Sequence, residues 1–97
     1  MHVASLRVEL RIRGVRSLKA KRAVVKSITD RLGRSSPVAV AEVDHLDLWQ
    51  RATLGFAVVS SSPGHMHRML HSLERELTER PDVEVLGRSV AYLEEPE

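Results

Sequence analysis

Residues 3–13 alternate cleanly, with Leu6, Val8, Leu10 and Ile12 on one side and Arg7, Glu9, Arg11 and Arg13 on the other. A period of two held over eight residues is that of a strand with one buried face. Gly14 then punctuates the chain and Ser17 offers a good helix N-cap. From Leu18 the period becomes helical: Leu18, Val25, Ile28 and Leu32 share a face, with Val24 at its margin. Each element has one apolar face, so the two must bury those faces in a layered domain.

The remaining elements repeat the pattern. Gly33 and the cluster Ser35-Ser36-Pro37 end the first helix. Strands are expected over about 38–44 and 53–61, joined by residues 45–51, a hairpin loop with some structure of its own. Ser62-Pro63-Gly64 starts a second helix, whose stripe is Met66, Met69, Leu70, Leu73 and Leu77. Pro81 closes it, because proline restricts the residue before it. A last strand follows over about 83–93. Val83 and Val85 have opposite parity to Val90 and Tyr92, which predicts a bulge near Gly87. Glu94 to Glu97 form an acidic tail expected to fray.

With helices over about 17–33 and 63–79, the order β-α-β-β-α-β predicts an α+β, ferredoxin-like sandwich spanning residues 1–97 as one domain. Its antiparallel sheet has order 4-1-3-2, with both helices on one face. Leu54, Phe56 and Val58 then face the helices, while Thr53, Gly55, Ala57 and Val59 lie on the open face beside Arg7, Glu9 and Arg11. The topology also gathers the start of helix one, the loop 45–51 and the end of helix two at one end of the molecule. That end is the candidate site.

Composition narrows the function. The chain has no cysteine, which removes disulfides, thiolate metal sites and thiol catalysis. No apolar run approaches the ~20 residues that span a bilayer, and the first residues have no secretory pattern, so the expectation is a cytoplasmic protein without a membrane partner. Net charge is only +2, yet residues 1–34 hold ten Lys/Arg against Glu9 and Asp30. Such asymmetry points to a localised basic surface and an anionic partner.

Gly14-Val-Arg-Ser-Leu-Lys-Ala-Lys-Arg22 places Arg16, Lys19, Lys21 and Arg22 around the first turn of helix one. The helix dipole favours carboxylates there, so each cation opposes it by up to about 0.3–1 kcal/mol. An anion site would use these cations with Ser17 and Lys26 and the free backbone N–H groups, matching phosphate or RNA backbone. Lys21 leans toward the core and is expected to snorkel. Solvated charges paired with Asp44 and Asp47 are an equally good account of the turn.

The stretch Glu42-Val-Asp-His-Leu-Asp-Leu-Trp-Gln-Arg-Ala-Thr53 supplies a second group, Asp44, His45, Asp47, Trp49 and Arg51, as a partner or loop site. Asp44-His45-x-Asp47 has too few ligands for a metal unless Glu42 joins from the same strand face, and an Asx-type turn at Asp44 is the simpler reading. Trp49 most often caps a core in such a loop, less often anchors a partner, least often stacks a base. His65, His67 and His71 read as ordinary helix residues, since Arg68 stands where a zinc-protease helix needs glutamate. No phosphate-loop, dinucleotide or nucleophile-elbow motif occurs, so catalysis, a cofactor and a metal have no positive support.

Ser17-Leu-Lys-x-Lys-Arg22 and Ala41-Glu-Val-Asp-His-x-Asp-Leu-Trp-Gln-Arg-Ala-Thr-Leu-Gly55 resemble the bacterial YlxP-like family, nearly end to end and including Val58-Val59-Ser60. The resemblance implies a ferredoxin-like fold, with no established activity, catalytic residue or cofactor. It also implies gene neighbours concerned with translation initiation and ribosome maturation. The resulting expectation is a non-enzymatic RNA- or ribosome-associated module. A homodimeric or partner-binding scaffold using the Trp49 loop or the open sheet face is the alternative, and a small-anion or metal-binding protein ranks third.

Overall fold

The computed structural model describes residues 1–34 and 37–94. The elements are β1 (His2–Ile12), α1 (Leu18–Gly33), β2 (Val38–Asp44), β3 (Arg51–Ser60), α2 (Pro63–Glu79) and β4 (Val83–Glu94). They form an α+β fold whose single sheet has the order β2-β3-β1-β4, which is 4-1-3-2 read from its other edge. Every neighbouring pair is antiparallel. The expected end of the first helix at Ser35-Ser36 and the fraying tail at 95–97 lie outside the described residues.

Local chemistry sets the boundaries. The Ser17 Oγ accepts from the Ala20 N–H at 3.0 Å, and the Ser62 Oγ from the His65 N–H at 3.3 Å, so each helix starts on a side-chain cap. Pro63 occupies the first turn of α2, where its missing N–H costs nothing. Gly14 takes φ 72° in the turn between β1 and α1, a left-handed conformation that glycine adopts without strain.

The core is one cluster. Ala4, Leu6, Val8, Leu10 and Ile12 of β1 and Ala52, Leu54, Phe56 and Val58 of β3 meet the buried stripes of both helices. Those stripes are Val25, Ile28 and Leu32 in α1 and Met66, Leu70, Leu73 and Leu77 in α2. The opposite face of the sheet carries no helix residue of this cluster.

Two irregularities matter for the site. Between β1 and β4 the register shifts so that Leu86 is the extra residue, beside Gly87, whose neighbour Glu9 precedes the shift. Between β2 and β3 Glu42 pairs with Leu54 but Asp44 pairs with Thr53, leaving Val43 as an extra residue. Such a bulge resets parity. Glu42 and Asp44 therefore point to opposite faces, contrary to the shared face expected from their spacing. Gly55 accommodates the bulge, because a Cβ there would lie 3.0 Å from Val43 Cγ1. The third strand starts at Arg51, two residues earlier than expected, since Arg51 still pairs with Arg11, and the connecting loop shrinks to residues 45–50.

Candidate functional site

One end of the molecule is laced together by backbone. The Ile12 N–H donates to the Gln50 carbonyl at 2.8 Å and the Arg13 N–H to the Asp82 carbonyl at 2.9 Å. The first turn of α1 joins them through Lys21. That side chain is 0% exposed and occupies the apolar stripe that continues through Val25, Ile28 and Leu32. Its Nζ is paired with Glu42 and donates to the His45 carbonyl at 3.0 Å, with the Leu46 carbonyl at 3.5 Å.

This corrects two expectations. Lys21 does not snorkel to water, because a carboxylate and the loop carbonyls meet it inside; it fastens the loop to α1 and cannot reach an external anion. Nor does Asp44 neutralise the basic turn, since the Val43 bulge sends it to the other face and leaves Glu42 on the helix side.

The remaining cations of the turn stay outside. Arg16, Lys19 and Arg22 are exposed, and among the described residues none has an ion-pair or hydrogen-bond partner. Lys26 is held by Asp30 at 2.8 Å one turn along. The Ser17 hydroxyl oxygen is occupied by its cap. Three acids of this end are engaged, Glu42 by Lys21, Asp82 by Arg80 at 2.7 Å, and Glu84 by Arg11 at 3.5 Å, while Asp47 of the loop pairs with none of the described residues.

Behind the bulge lies a second, polar network on the open face. The Thr53 hydroxyl is buried, donates to Glu9 Oε2 at 2.6 Å and lies 2.9 Å from His45 Nδ1. With its proton given to Glu9, Thr53 must accept from His45, so Nδ1 carries the hydrogen and Nε2 faces away. Among the described residues Nε2 has no partner and is not buried. His45 has φ 61°, a left-handed conformation uncommon for a side-chain-bearing residue.

Its N–H donates to Asp44 Oδ1 at 2.8 Å, the local turn foreseen for Asp44. Arg7 closes the ring, with Nε on Glu9 at 3.1 Å and Nη2 on Asp44 at 3.4 Å. The Thr53 hydrogen bond, with Arg7 assisting, holds the Glu9 carboxyl below the usual range. The His45 N–H does the same for Asp44.

The loop tip is apolar and outside. Leu46, Leu48 and Trp49 are exposed, Trp49 the least of them at 39%. The Leu48 N–H closes the turn on the His45 carbonyl at 3.1 Å. Asp47 is exposed. Arg51 is half-buried, directly across from Arg11, and its buried Nε has no hydrogen-bond partner among the described residues. His65 lies 3.2 Å from the Ser60 hydroxyl and His67 packs edge-on against Tyr92. Among the described residues no three His, Cys, Asp or Glu side chains converge as a metal group.

Glu9 and Thr53 were absent from the sites read off the sequence, and Glu42 entered them only as a further ligand beside Asp44. Parity already set Glu9 and Thr53 on one face, but only the register brings them opposite each other.

The comparisons agree on family and are silent on chemistry. The family described as "Protein of unknown function (DUF503)" matches residues 3–90. The "Uncharacterized protein YlxP" of Bacillus subtilis (strain 168) is 37% identical over 68 residues, covering 70% of this chain and 74% of its own. Among solved structures, the de novo designed protein Foldit4 aligns at TM-score 0.49 and 14% identity, over 97% of this chain and 99% of its own. A Burkholderia phymatum amidase of the hydantoinase/carbamoylase family aligns at 0.48 and 14%, over 97% of this chain and 28% of that one. Neither structural score carries an argument. The family match runs nearly from end to end, and this chain belongs to the YlxP-like family of proteins of unknown function, DUF503.

Proposed function

We propose that this protein is an RNA-binding module of the cytoplasm, associated with ribosomes, that grips phosphates with Arg16, Lys19 and Arg22. The observation that carries the reading is the lack, among the described residues, of any partner for these three exposed cations, while Glu42, Asp82 and Glu84 of the same end are engaged elsewhere. Lys26 adds a fourth contact once it leaves Asp30, and Lys21 is excluded because it is buried. We read the frame that presents them as a ferredoxin-like sandwich, with both helices on the covered face of the sheet.

Electrostatic binding of this kind has a distinct salt signature. Three or four phosphates on single-stranded RNA give a slope of log K against log salt of about −2 to −3. Fluorescence anisotropy with a labelled oligoribonucleotide measures it. Lys19→Glu with Arg22→Glu, both exposed, is expected to weaken binding by tenfold or more on the order expected for lost phosphate contacts. Salt-insensitive binding, or full binding by the reversed variant, refutes the proposal.

A second reading has its own observation. Leu46, Leu48 and Trp49 are exposed together in one short loop, as the anchor of a protein partner would be.

A further inference from the structure

The open face of the sheet is unusual in what it lacks. A solvated antiparallel face normally alternates polar residues outward, yet here Ala39 and Ala41 of β2, Ala57 of β3 and Ala91 of β4 form an almost smooth floor. At one end of the floor Val59 and Leu93 stand 44% and 68% exposed on either side of Val3, and Val43 is 48% exposed near the other end. In the middle only Arg7 rises. It pairs across the strands with Gly55, which has no side chain, and a trough lined by Ala41, Val43, Gly55 and Ala57 runs beside it.

We propose that this face binds a second copy of the chain, sheet against sheet, around a two-fold axis lying parallel to the strands between β3 and β1. Three observations select this occupant. The first is pattern. Such an axis keeps the apolar end of one copy, at Val3 and Val59, against the same end of the other, whereas an in-plane axis across the strands would set it on the charged end. The second is register. The axis lays β3 of one copy over β1 of the other, so Val3 meets Val59 and Ser5 meets Ala57 of the second copy.

The third is size. Four strands about 4.8 Å apart and about nine residues long at 3.3 Å per residue give a face of roughly 570 Å². Two such faces bury roughly 1,100 Å², just above the ~1,000 Å² a specific interface requires.

Charge weakens the fit at one end, and salt relieves it. Arg7, Glu9 and Asp44 together carry one excess negative charge, and the second copy's β2 lies over β4, bringing its own Asp44 to the far side of Arg7. At the polar end Arg11 and Arg51 stack over their counterparts, so added salt firms this contact. RNA binding by the cations of α1 weakens with salt, which separates the two proposals.

Sedimentation velocity of the full chain, from micromolar to hundreds of micromolar, is expected to show reversible dimers that persist at high salt. Ala57→Glu with Ala91→Glu, both at exposed positions, shifts the protein to monomer while its thermal melt confirms folding. A cross-linking variant tests the register without weakening the face. The protein has no cysteine, and Ala39 and Ala91 lie on opposite edge strands of one copy, too far apart to bridge within it.

Ala39→Cys with Ala91→Cys is expected to be joined between copies by a short bis-maleimide that spans the ~10 Å between packed sheets, because the axis sets Ala39 over Ala91 of the second copy. Monomers throughout the concentration range overturn the proposal. So do dimers that survive the two glutamates, or dimers abolished by Trp49→Ala alone.

Discussion

Lys21 offers the sharpest test of the architecture. Lys21→Met keeps an unbranched side chain in the stripe and removes the ammonium, leaving Glu42 with 13% of its side chain exposed and no cation. The carbonyls of His45 and Leu46 lose their donor as well. Breaking a buried pair from one side costs about 3–5 kcal/mol. The little water that reaches Glu42 and the give of a six-residue loop place this case near the lower figure.

For a domain of this size each kcal/mol moves Tm by about 4–8 °C, so the melt falls by roughly 12–24 °C. Adding Glu42→Leu removes the stranded charge and is expected to recover most of the loss, to within about 1 kcal/mol of the natural protein. Urea unfolding of the natural protein, both single variants and the pair gives the coupling directly. A loss under about 1 kcal/mol in Lys21→Met, or a pair no better than the sum of its singles, refutes a dry lysine holding the loop. RNA affinity, in contrast, should survive in the folded variant, because Lys21 never reaches solvent.

Two further outcomes follow from the open-face network. Thr53→Val preserves shape and deletes the hydroxyl between Glu9 and His45, costing about 1–3 kcal/mol by leaving polar groups unpartnered; the Glu9 carboxyl, followed by NMR titration, should rise toward its ordinary value because Thr53 is the main cause of its depression. Acid unfolding should also be steep. Glu9, Asp44 and Asp82 are held below their ordinary values, by Thr53, the His45 N–H and Arg80 respectively, so below about pH 4.5 the unfolded chain binds protons that the folded one refuses. The stability these groups supply is complete above that range and is lost as pH falls through their depressed values; denaturant midpoints unchanged between neutral and strongly acidic pH would contradict it.

Much of the fold was legible because single residues carried it. The alternation around Leu6–Ile12, the caps at Ser17 and Ser62 and the stop at Pro81 each act locally, within a turn or a few residues. The bulge at Val43 was not legible. The run Val38-Ala-Val-Ala-Glu-Val43 has no polar alternation to break, so nothing in it marks a change of parity. Two misreadings follow from that one omission: Glu42 was set beside Asp44, and Lys21 was left without an acid inside the protein.

Trp49 shows a different limit. Its size says that burial is favourable, yet how far a loop side chain is covered, here to 39% exposure, depends on the backbone that carries it. Glu9 and Thr53 were visible as neighbours on a face and invisible as partners, since a two-residue slip in register would separate them.

The extra residue at Val43 also makes β2 a tie through the sheet. Within three residues the strand holds a carboxylate fastened to α1 and another fastened to the outer surface, joined by one peptide unit on each side of Val43. One short strand end thus serves both faces of the sheet, the inner one through Lys21 and the outer one through Arg7.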